Sequence, residues 1–69
     1  MRETLDRIER GGRRVDVAGW VSDIREYRSH WITPRVEACL RLAACESAPY
    51  GERLAALHAV ARCVERMES

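Results

Sequence analysis

Two histidines, three cysteines and eleven carboxylates are the side chains of this 69-residue chain that could do chemistry. A thiol beside an imidazole is the core of a cysteine nucleophile, and His58 stands five residues before Cys63. Five residues on a helix turn through about 140°, so those two side chains diverge. Nothing is spaced to orient the imidazole, and His30 is far away in sequence. Cys39, Cys45 and Cys63 contain no C-x-x-C pair, the spacing of a structural zinc site. Three thiols are also too few, and an odd number, for a disulfide framework. The carboxylates read as solvated partners of arginine. Glu3, Asp6 and Glu9 stand against Arg2, Arg7 and Arg10, and Glu65 and Glu68 near Arg62 and Arg66. Gly11-Gly12 and the single Gly19 do not make a phosphate loop. The expectation is no enzyme, no catalytic residue, no metal site, no cofactor and no small-molecule substrate.

Binding chemistry is better represented. All twelve basic residues are arginine, which fits a high-GC coding sequence and also suits recognition of carboxylate or phosphate. The net charge is +1, but residues 10–35 carry +3 while both flanks carry −1. The same basic segment holds both tryptophans, Tyr27 and His30. Trp, Tyr and Arg are the types enriched at protein hot spots, and Arg interleaved with aromatics also suits nucleic acid. The candidate partner-binding residues are therefore Trp20, Arg25, Tyr27, Arg28, Trp31 and Arg35. The competing assignment puts Trp20, Ile24 and Trp31 in the core with the arginines around them. Arg28 is the informative residue, because it falls inside an otherwise apolar stripe. It could snorkel to a rim, stack on Trp31 or meet a partner's anion.

Those side chains need a helix to carry them. "VDVAGWVSDIREYRSHW" alternates like a strand at first, with Val15, Val17, Gly19 and Val21 on one face. The same face then meets Asp23 and Arg25. Read as a helix over 16–31, it gathers Val17, Trp20, Val21, Ile24, Tyr27, Arg28 and Trp31 into one stripe. Gly19 and the early valines count against it, and a strand limited to 13–21 is the alternative. Upstream, residues 2–10 predict a short helix capped by Thr4 and ended by Gly11-Gly12, thinly anchored by Leu5 and Ile8. Downstream, Thr33-Pro34 starts a helix over 34–46, apolar on two sides (Val36, Cys39, Leu40, Ala43; and Ala38, Leu42, Cys45), which predicts a sandwiched element. Pro49 restarts a helix over 49–67, in which Tyr50, Leu54, Leu57, Ala61 and Val64 form a packing seam. The short connection predicts an antiparallel αα-hairpin of these two helices. Ala56, Ala59, Val60, Cys63 and Met67 make a second, small-residue facet, offered either as a dimer contact or as the seat of helix 16–31.

The fold class expected is all-α: one small domain over 1–69, three main helices and a short N-terminal one. A core of this size rarely supplies more than about 3–5 kcal/mol, which favours a homodimer. No segment resembles a signal peptide or a membrane span, and three unpaired thiols fit a reducing compartment, so a soluble cytoplasmic protein is expected. "VDVAGWVSDIR", eleven residues, resembles the first strand of the anticodon-binding OB barrel of aspartyl- and lysyl-type tRNA synthetases. That resemblance implies four further strands, whereas residues 34–69 read as helical. "AGWVSDIREYRSHWITPR" is similar to the helix-turn-helix of MerR-type activators, with a spacing two residues short and no wing after Pro34. The function expected is a small binding or regulatory protein that occludes or bridges a protein partner. Phage and mobile-element inhibitors such as anti-CRISPR proteins, antitoxins and anti-activators are of this kind. The alternative is a dimeric DNA-binding regulator with Arg13, Arg14, Arg25, Arg28 and Arg35 on phosphates.

Overall fold

The computed structural model describes residues 1–68, with side chains through Met67. Its helices are α1 (Arg2–Arg10), α2 (Val17–Tyr27), α3 (Pro34–Ala43) and α4 (Tyr50–Glu68), with a 3-10 turn at Ser29–Trp31 and no strand among the described residues. The all-α expectation holds, and neither a strand at 13–21 nor an OB-type barrel is present. The expected pairing of Glu68 lies outside the described side chains.

Asp16 decides how the ambiguous segment folds. Its carboxylate accepts the Gly19 N–H at 3.1 Å, which satisfies one of the free donors at the start of α2. A Cβ on Gly19 would collide with that carboxylate, so the glycine that weakened the helix on propensity is what admits the cap. Val15, Val17, Val21 and Ile24 are all buried, Val15 from the connection and the others from α2. The helix stops at Tyr27, short of the expected end at 31. Its next inward position would be Arg28, which offers no apolar burial, and Ser29 and His30 are weak helix formers. Arg28 becomes the C-cap, with its N–H donating to Ile24 O.

The other boundaries follow local signals more closely. Thr33 Oγ1 accepts the Val36 N–H at 3.2 Å, with Pro34 opening α3 as expected. α3 ends at Ala43 rather than 46, where the Cys45 and Ala48 N–H groups turn back onto Leu42 and Cys45. Arg53 Nε donates to Ala43 O at 2.7 Å, placing a cation on the negative end of the α3 dipole. At the first helix, the expected Thr4 cap is wrong. α1 begins at Arg2 after Met1, without a side-chain cap, and Thr4 is exposed within it. Gly12 ends it at φ +74°, a backbone state that favours glycine.

The core is aliphatic. Leu57, Ala61 and Val64 of the expected seam are buried, with Tyr50 and Leu54 half-buried beside them. Val36, Leu40 and Ala43 supply the buried face of α3, whose contact with α4 is the most extensive between any two helices. The second side of α3 is not sandwiched: Ala38 is exposed and Leu42 is 44% exposed. The small-residue facet also divides. Ala56 and Val60 are buried within this chain's own core, so neither is free for a dimer contact, and Ala59, Cys63 and Met67 remain at or near the surface. α1 is better anchored than its sequence suggests. Leu5 is 0% exposed, Arg2 Nη1 lies 3.1 Å from Glu65 Oε2, and His58 Nε2 lies 3.0 Å from Glu9 Oε2. Residue 2 meets 65 and residue 9 meets 58, so α1 runs opposite to α4.

The cap makes a specific prediction for denaturant unfolding. Asp16→Ala should cost about 1 kcal/mol. Gly19→Ala should gain little in the wild type, where its methyl displaces the cap. In the Asp16→Ala background it should stabilise by about 0.5–1 kcal/mol, the ordinary helix-propensity difference.

Candidate functional site

An open groove of about 510 Å³ lies where α1, α2 and the 3-10 turn meet. Met1, just before α1, and Thr4 within it line one side. Trp20, Asp23, Tyr27 and the buried Ile24 of α2 also line the groove, together with Arg28 and Trp31 from the turn that follows. The spacing 20, 23, 24, 27 puts the α2 residues on one helical face. The 3-10 turn brings Trp31 back to that face after α2 has ended.

Within the groove, Trp20 and Trp31 are half-buried while Tyr27 is 64% exposed. The Arg28 guanidinium lies 5.7 Å from the Trp31 ring, and its Nη1 donates to Tyr27 O at 3.1 Å. Of the three positions open to Arg28, stacking on Trp31 is the one adopted. The His30 ring lies 5.9 Å from that of Trp31 and is tilted to it by 60°. The groove thus offers three aromatic side chains, the apolar Met1 and Ile24, one cation and the Asp23 carboxylate. Those features suit a side chain of a macromolecule.

Four of the six expected contact residues, Trp20, Tyr27, Arg28 and Trp31, come together here. Arg25 and Arg35 do not. Arg25 points to α3 and grips Glu37 with two bonds, at 2.8 and 3.2 Å, while Arg41 Nε adds a third at 3.2 Å. The Arg25 hydrogen bond, helped by Arg41 and opposed by partial desolvation, holds the Glu37 carboxyl below its ordinary 4.5. Arg35 lines a separate shallow depression with Cys39, Ala59, Arg62, Cys63 and Arg66. Arg14 is also engaged, 3.9 Å above the Tyr50 ring, and Tyr50 Oη accepts the Val15 N–H at 2.9 Å. The arginines grouped by sequence as one phosphate-binding set are therefore divided among several faces.

Several contributors escaped the sequence reading. Met1, Thr4 and Asp23 line the groove without any local signal of it. Cys45 shares a 3.1 Å hydrogen bond with the Ser47 hydroxyl, which, with the backbone of Ser47 and Ala48 and the charge of Arg53, pulls its thiol below the ordinary 9.0. Asp6 and Glu9 have the sequence pattern of surface carboxylates, yet α1 sets both beside His58, 49 positions after Glu9. The three-residue spacing of Asp6 and Glu9 was the visible half of that signal, and the fold supplied the other half. Among the described residues, no helix is long and apolar enough to cross a membrane. No protein-family model, curated protein or solved structure matches the chain.

The Arg25–Glu37–Arg41 group predicts an acid-dependent contribution to stability. A carboxyl whose folded pKa is depressed stabilises fully above its unfolded pKa and loses that effect as pH falls through the folded value. Wild type should therefore exceed Glu37→Gln in denaturant midpoint near neutral pH. The gap should close as the pH is taken below 4.5.

Proposed function

We propose that this chain is a small non-enzymatic binding protein that acts sterically, by covering or bridging a protein partner at the groove between α1, α2 and the 3-10 turn. The supporting observation is the gathering of Trp20, Tyr27, Arg28 and Trp31 around one open groove, with Tyr27 64% exposed. Those are the residue types that dominate protein interfaces, and an exposed aromatic beside a cation has its greatest value once a partner excludes water from it. The partner's complement is an apolar side chain seated between the tryptophans, with a carboxylate or carbonyl on Arg28. Mobile-element inhibitors, antitoxins and anti-activators act in this manner.

Three structural expectations belong to the same proposal. We take α3 and α4 as an antiparallel hairpin, supported by Arg53 on the Ala43 carbonyl and by Arg35 lining one depression with Arg62. We take the working form as a homodimer, supported by the small core and by Leu42 and Met67, each 44% exposed. A cytoplasmic setting is supported by three free thiols. Sedimentation at micromolar concentration should show a dimer, and a stable monomer would remove that element.

Affinity purification from the native host tests the groove. Wild type and Arg35→Glu should retain the same protein partner, while Tyr27→Ala and Arg28→Glu, with unchanged circular dichroism, should lose it. A hot-spot loss of about 2 kcal/mol corresponds to roughly thirtyfold weaker binding. Equal recovery by all four proteins would contradict the groove assignment. Recovery of nucleic acid instead, with affinity for random duplex falling steeply as salt rises, would favour the DNA-binding alternative.

A further inference from the structure

We infer that Asp6, Glu9 and His58 form a site for a divalent metal ion of the zinc class, stapling α1 to α4. Asp6 and Glu9 are three residues apart on α1, so both carboxylates project from one face. α4 presents His58 to that face, with Nε2 3.0 Å from Glu9 Oε2. One ligand atom from each of the three residues lies within 4.8 Å of the others. An ion with bonds of about 2.0–2.2 Å holds its ligands roughly 3–4 Å apart, so small side-chain rotations close the set. All three residues stand on helices, and the fully buried Leu5 seats α1 next to Asp6.

The chemistry of the donors selects the ion. Two carboxylates and a neutral imidazole balance a doubly charged cation. The nitrogen donor favours zinc, nickel or cobalt over magnesium and calcium, which prefer all-oxygen shells. The His58 side chain is 26% exposed and that of Glu9 34%, so water can fill the remaining coordination positions. To ligate, His58 takes the Nδ1–H tautomer and offers the Nε2 lone pair, and a protonated ring first releases one proton. The hydrogen bond between His58 and Glu9 is then replaced by two bonds to the same ion. Glu3, Arg7 and Arg10 share a shallow depression with Asp6, and Arg62 follows His58 by one helical turn. Their charges tune affinity without supplying the ligand set.

Calorimetric titration of the full chain with zinc chloride tests the site, with magnesium chloride as control. Binding of one zinc per chain is expected, with a rise in Tm, and no response to magnesium. His58→Gln should weaken zinc binding by at least about tenfold, since even the loss of an outer-shell partner costs that much. Asp6→Asn leaves the Glu9–His58 hydrogen bond in place and should weaken binding similarly in a folded protein. His30→Gln should bind as wild type does. Cobalt should bind without thiolate charge-transfer absorption in the near ultraviolet. The assignment is overturned by absence of zinc binding, by unchanged affinity in both Asp6→Asn and His58→Gln, or by a thiolate band showing that cysteines hold the ion.

Discussion

Leu5 is sealed completely between α1 and the rest of the core, and much that is distinctive in this protein depends on that contact. Burying one leucine is worth about 1.5–3 kcal/mol. The exposed Arg2–Glu65 pair adds at most about 1 kcal/mol. The Glu9–His58 bond holds the other end of the helix. With α1 docked, Met1 and Thr4 wall the groove and Asp6 and Glu9 face His58. Without it, the groove would lose a side and the carboxylates would scatter into solvent. α1 thus has a short apolar anchor and a disproportionate structural role.

The rest of the chain follows a consistent division of labour. The fully buried side chains are aliphatic or alanine, and both tryptophans and both tyrosines stand at the boundary or outside it. Polar ties surround this core: Arg25, Glu37 and Arg41 join α2 to α3, Arg53 closes the end of α3, and Tyr50 clamps the connection before α2. Among the described residues, no buried side-chain nitrogen or oxygen lacks a partner. Aliphatic residues fill the interior, Trp20, Trp31 and Tyr50 pack half-buried against it, and Tyr27 is left 64% exposed.

Local signals were legible in the sequence, and long-range ones were not. Thr33-Pro34 announced α3, and the Tyr50–Val64 seam announced the buried face of α4, because capping and helical periodicity are written within a few residues. The 15–31 segment was ambiguous because its cap, Asp16, depends on a glycine that propensity counts as unfavourable. The early end of α2 was hidden because an uninterrupted stripe of side chains does not reveal whether the turn to the next helix comes first. Arg25 has the residue type of a contact, but its partner Glu37 lies twelve positions away on another helix, where no local signal marks the pair. The groove was half legible: spacing grouped Trp20 with Tyr27, but nothing local indicated that Met1 and Thr4 would face them.

Native-state hydrogen exchange of the α1 amides tests the central claim most directly, because it reports whether this helix is docked in solution. The amides of Leu5, Ile8 and Glu9 should exchange well below the rates of an unstructured peptide, and Leu5→Ala should release them while α4 stays protected. Exchange of those amides at unstructured-chain rates in the wild-type protein, alongside a protected α4, would contradict the docked α1 and the groove built on it.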